Sequence, residues 1–200
     1  MREVIFVQRR AGDDGPLGYW EAGSGEAIVA IVGSTEPPTR AHALLAGHRR
    51  VLVFAVPGGT PGDSEAARQQ AQAIAAAVAG LGITRFDLIG DGTGAVAALW
   101  LTHDLGEAVG AVVLAAPDGP PDDAFRDIAR PVLVLCGTRE KSDAGDRYCA
   151  LLPGSHLMLV YNAGSAIGGE RPEALDFIAR EFFERGDLFL VSRESGVTLP

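Results

Sequence analysis

The stretch from Phe86 to Trp100 limits most strongly what this chain can fold into. An apolar strand ending at Ile89 enters the glycine-dense turn Gly90-Asp91-Gly92-Thr93-Gly94, which leads into an alanine-rich helix. A strand that reverses this sharply into a helix needs backbone angles that only glycine adopts cheaply, and small residues two before and two after the apex let helix and strand lie close together. Gly90, Gly92 and Gly94 meet both demands and place Gly92 at the apex.

The flanking sequence repeats the same alternation. Val4 to Gln8 and Leu17 to Glu21 read as an opening hairpin around the turn at 11–16. The runs Ala27 to Val32, Val51 to Val56, Ala111 to Ala115, Pro131 to Cys136 and His156 to Tyr161 read as strands, the first four nearly all apolar. Between them lie helical segments at Thr39 to Gly47, Ser64 to Leu81, the elbow helix to about Leu105, and Asp143 to Leu152, with an amphipathic helix at Pro172 to Arg185 closing the series. Continuous apolar strands alternating with helices imply an α/β fold, a predominantly parallel sheet with helices on both faces. No repeat or low-complexity linker divides residues 1–200, so one domain is expected.

Charge narrows the partners. The net charge of −9 and the absence of any Lys/Arg cluster longer than a pair argue against a nucleic-acid surface. No apolar run approaches the roughly 18 residues of a membrane span and the N-terminal run is too short for a signal peptide, so a cytoplasmic protein is expected. Cys136 and Cys149 lack metal or disulfide spacing and read as buried reduced thiols, and no metal or cofactor is expected.

Gly90-Asp91-Gly92-Thr93-Gly94 resembles the G-x-S-x-G nucleophile elbow of the α/β-hydrolases, and further motifs follow in that family's order. Ala27 to Gly33 is similar to the strand that ends in His-Gly at the oxyanion loop, and Phe54-Ala55-Val56-Pro57-Gly58-Gly59 to D-x-P-G-x-G. Leu133 to Glu140 resembles the strand and G-x-x-D that deliver the triad acid, and Tyr161 to Ile167 the loop that carries the triad histidine. The resemblance spans roughly Leu17 to Arg185 and implies Gly92 at the nucleophile position, Glu140 at the acid, Ser165 at the histidine and Val32 at the oxyanion-loop histidine. A glycine has no atom with which to attack an acyl carbon. None of His42, His48, His103 and His156 falls in the loop after the last core strand, so no general base is expected at the site. Ala116 to Arg130 has room for one short helix, so the helical cap common in the family is expected to be absent.

The expected function is therefore binding without hydrolysis, of a small carbonyl or carboxylate ligand or of a protein partner. The amide of Thr93 and one from Gly33 or Ser34 would recognise such a ligand, with Asp91 beside them partly cancelling their field. The alternative is a hydrolase or lyase that uses reassigned residues, Asp91, Glu140, Ser165 or Ser34. Asp91 as nucleophile would still leave no histidine to activate water. Gly90-Asp91-Gly92-Thr93-Gly94-Ala95 also fits G-x-G-x-x-[G/A], a nucleotide-binding pattern, but the next strand ends Leu114-Ala115-Ala116-Pro117 with the acid Asp118 only beyond the proline. Leu188 to Ser192, in the tail 186–200, reads as a strand expected to pack on the body or on a second subunit of a homo-oligomer.

Overall fold

The structure is a computed structural model and describes residues 4–10, 17–33, 38–56, 63–186 and 188–191. The strands are Val7–Arg10 (β1), Gly18–Ala22 (β2), Ala27–Val32 (β3), Arg50–Ala55 (β4), Phe86–Asp91 (β5), Val109–Ala115 (β6), Val132–Gly137 (β7) and His156–Val160 (β8). They form one sheet in the order β1-β2-β4-β3-β5-β6-β7-β8, with β1 and β2 antiparallel and β3 to β8 mutually parallel. The opening hairpin pairs Val7 with Glu21 and Arg10 with Gly18, its first strand starting three residues and its second one residue later than the sequence suggests. Its register is tied to β2, which is held by β4, while Val4 and Phe6 pack against apolar residues of the core. The expected turn at 11–16 lies outside the described residues.

Because successive strand side chains point to opposite faces, each central strand feeds two cores. Val29 and Ile31 of β3 join Phe54, Leu88 and Leu114 against the helices Ser64–Gly80 (α2) and Gly94–Leu105 (α3). Ile28 and Ala30 join Val53, Ile89 and Leu135 against Arg40–Ala46 (α1) and, beyond Ala144–Leu151 (α4) and Ile167–Glu170 (α5), the long helix Pro172–Arg185 (α6). Helices thus cover both faces, as the apolar strands require.

The connection from β6 to β7 holds only a short 3-10 helix, Asp123–Asp127, and no cap. It is tied down: Ser64 donates to the Asp122 carboxylate at 2.6 Å, and Trp100 Nε1 donates to Ser64 at 2.9 Å. The expected strand at Leu188 is a helical turn instead, Leu188–Val191 (α7). Gly186, at φ 53, turns the chain back onto α6, where the Phe189 and Phe182 rings meet edge to face at 6.2 Å. The run closes local backbone bonds there, with Phe189 N–H donating to the Gly186 carbonyl at 3.0 Å.

Candidate functional site

The parallel registers bring several strand ends to one level. Val32, Asp91 and Ala115 stand abreast at the carboxyl ends of β3, β5 and β6, and Ala115 pairs with Leu135 of β7. In open parallel sheets ligands bind above these ends. A cavity of about 560 Å³ opens there, lined among others by Val32, Gly33, Asp91, Gly92, Thr93, Glu140 and Ser165. Every described site residue named from sequence therefore reaches one cavity. Ser34 lies outside the described residues.

The elbow's glycines serve different needs. A Cβ on Gly90 would come within 2.8 Å of Ala98 Cβ, and one on Gly94 would strike the Ile31 carbonyl, so both positions are closed by helix-on-strand packing. Gly92, at φ 58, needs the left-handed backbone, but a Cβ there would meet nothing within 4 Å. Packing demands glycine on either side of the apex and does not demand it at the apex.

Glu140 and Ser165 reach the same cavity because two loops approach closely. The Ala163 carbonyl sits where a Gly137 side chain would project, and Arg139 N–H donates to that carbonyl at 2.9 Å. Glu170 holds the second loop by accepting from Gly164 N–H at 3.0 Å and pairing with Arg139. Ser165 is exposed at the rim, and Glu140 Oε2 is buried without a hydrogen-bond partner.

The expected pair of amides is modified. Gly33 lines the cavity, but its N–H donates to the Asp91 carbonyl at 3.2 Å and is not available to a ligand. Thr93 sits at the N-cap of α3 in helical conformation (φ −66, ψ −17), which turns its hydroxyl away from capping. That hydroxyl lies against Gly33, buried and unpartnered.

His42 was missed by sequence reasoning, which looked for a histidine only after the last strand. It rides on α1, is 1% exposed, and lines the cavity. Its Nδ1 accepts the Thr39 backbone N–H at 3.0 Å and faces the Thr39 hydroxyl at 2.9 Å. A backbone amide can only donate, so Nδ1 carries no proton and the neutral ring carries it on Nε2. Burial pushes the imidazole down to about 4, so the ring is neutral at physiological pH. Nε2 is buried without a partner. The one available signal was Thr39 three residues ahead, a reciprocal cap that fixes the ring.

The cavity's charge also differs from expectation. Asp91, Asp118 and Glu140 line it, and no arginine or lysine does among the described residues. Burial without a counter-charge raises Asp91 to about 6. A free carboxylate would meet three acids and no cation, so the carboxylate half of the expected ligand class is disfavoured. Ala116, another lining residue, holds φ 43, strain of the kind that gathers at sites. Cys136 is buried, its thiol pushed up to about 11 by that burial, while Cys149 is only half-buried; neither lines the cavity. Among the described residues no cluster of potential metal ligands occurs and no helix is long and apolar enough to cross a membrane.

No family model and no curated protein matches the chain by sequence. Solved structures do. A serine hydrolase involved in carbazole degradation, the CarC enzyme, superposes with a TM-score of 0.77 at 16% identity, covering 90% of this chain and 99% of that one. The epoxide hydrolase CorEH gives 0.75 at 15% identity over 91% and 99%. Naproxen esterase from Bacillus subtilis gives 0.73 at 15% over 90% and 92%. With these likenesses, the strand order and the elbow between β5 and α3, the chain has the α/β-hydrolase fold.

Proposed function

We propose that the protein binds a neutral carbonyl compound in the elbow cavity and does not hydrolyse it. The observation that carries this reading is the pairing of a bare apex with unused donors. Gly92 offers no nucleophile, whereas His42 Nε2–H and the Thr93 hydroxyl are buried beside it without acceptors. A buried donor without a partner costs about 1–3 kcal/mol, and a ligand oxygen would recover that. The acidic lining favours a neutral carbonyl over a carboxylate. In this reading Gly92, Glu140 and Ser165 occupy the three triad positions of the fold, and only the acid keeps a group suited to its former role.

A thermal-shift comparison tests the reading. Cyclohexanone should raise the melting temperature and cyclohexanecarboxylate should not, since a ligand that prefers the native state stabilises it by mass action. Fluorophosphonates should leave the protein unlabelled, and p-nitrophenyl esters should not turn over. The double variant Gly92→Ser, Ser165→His, which supplies hydroxyl and imidazole at their positions, should show weak esterase activity absent from either single variant. Labelling of the unmodified protein would overturn the reading.

A further inference from the structure

We infer that the elbow cavity is an enolisation site, in which Asp91 removes the proton α to a bound carbonyl while His42 Nε2–H holds the carbonyl oxygen. The inference rests on the carbonyl-binding reading above and adds a reaction to it. Two observations carry it. One is a donor whose protonation is fixed by geometry: Thr39 N–H occupies His42 Nδ1, so Nε2–H is the side of the ring left for a ligand, and it has no acceptor among the described residues. The other is a carboxylate in the same cavity, Asp91, that takes part in no ion pair or side-chain hydrogen bond among the described residues. It stands at the end of β5, so rigid backbone sets its place.

The two groups divide the work of proton abstraction from carbon. An Asp91 oxygen takes the α-proton, the C–H electron pair becomes the C=C bond, and the carbonyl π pair moves onto oxygen. The resulting enolate oxygen is stabilised by His42 Nε2–H, with the Thr93 hydroxyl as a second donor. Reprotonation by the Asp91 carboxylic acid returns the ketone, so no co-reactant is consumed. Asp91 becomes neutral as the oxygen becomes negative, and the cavity's total charge is unchanged. This matters because Asp118 and Glu140 also face the space and would oppose any added negative charge. A neutral imidazole paired with a carboxylate base is a recurring solution for this chemistry: an imidazolium would be a stronger acid but would have to be kept charged in a buried place. The raised Asp91 carboxyl, at about 6, also suits a base working near neutrality. A wet, capless site suits reversible proton exchange, which water does not divert.

The test is deuterium incorporation from D2O into the α-positions of cyclohexanone and acetophenone, followed by proton NMR, with saturation-transfer difference on the same samples reporting binding. The wild-type protein should exchange the α-protons at least about tenfold faster than buffer, within the range a positioned base supplies. Asp91→Asn should bind both ketones and return exchange to the buffer rate. Asp91→Glu should recover part of the rate. The wild-type rate should rise with pH and level off above an inflection near 6, a profile that a structural role for Asp91 would not produce. Binding without exchange, or exchange that persists in Asp91→Asn, would overturn the inference and leave the binding reading standing. Neither binding nor exchange with either ketone would overturn both.

Discussion

Asp91→Asn should stabilise the protein at neutral pH, and by an amount that depends on pH in a way no packing change imitates. The carboxyl loses hydration at the end of β5 and gains no cation in return, so its folded value rises from 3.8 to about 6. Below 3.8 the group is protonated in both states and contributes nothing. Between the two values the unfolded chain releases its proton first, so the unfolded state binds fewer protons and stability falls as pH rises. Above 6 both states are ionised and the penalty is constant. At about 1.4 kcal/mol per pKa unit, the plateau is at most about 3 kcal/mol, reduced by whatever solvent still reaches the half-buried group. Asparagine has the same shape and no charge to desolvate. Urea unfolding of both proteins at intervals from pH 3.5 to 8 should give a difference near zero at the acid end that grows to roughly 2–3 kcal/mol above pH 7. A difference that stays flat across this range, or that favours the wild type at neutral pH, would refute the claim that Asp91 is desolvated and unpaired.

The elbow's glycines should separate by substitution. Gly94→Ala drives a methyl into the Ile31 carbonyl and should cost more than about 3 kcal/mol or prevent folding, whereas Gly92→Ala meets open space and should cost only the left-handed backbone penalty, about 1–2 kcal/mol, by chemical denaturation. Equal losses at the two positions would contradict the distinction. Phe189→Ala, which removes the edge contact with Phe182 and the Arg185 guanidinium 5.8 Å above the ring, should lower stability by about 1–2 kcal/mol or shift the oligomeric mass by light scattering. Unchanged melting and unchanged mass would show that α7 contributes nothing to holding the tail.

The fold and the place of the site were legible in the residues because they rest on local sterics. The spacing of Gly90 and Gly94 records how closely α3 lies on β5 and β3, and Gly137 records how closely the loop after β7 meets the loop after β8. Each is a demand on one position, met by the residue at that position, so adjacent letters carry it. The apolar runs from Ala27 to Val32 and from Ala111 to Ala115 likewise state that both faces of their strands are covered, and both faces are.

What acts in the cavity was settled only by the tertiary structure. His42 looks like an ordinary helix residue until α1, packed on β4, α5 and α6, carries it to the cavity that the elbow also lines. Gly33 looks like a free amide donor until the parallel register of β3 and β5 hands its N–H to the Asp91 carbonyl. Leu188 to Val191 looks like a strand until Gly186 turns it back onto α6, where it closes a helical turn. Asp91, Asp118 and Glu140 lie far apart in the chain, and only the ends of β5, β6 and β7 put them around one space without a cation, where Asp91 is desolvated. Electric field and desolvation are sums over groups that are distant along the chain and close in space, and no window of sequence contains such a sum.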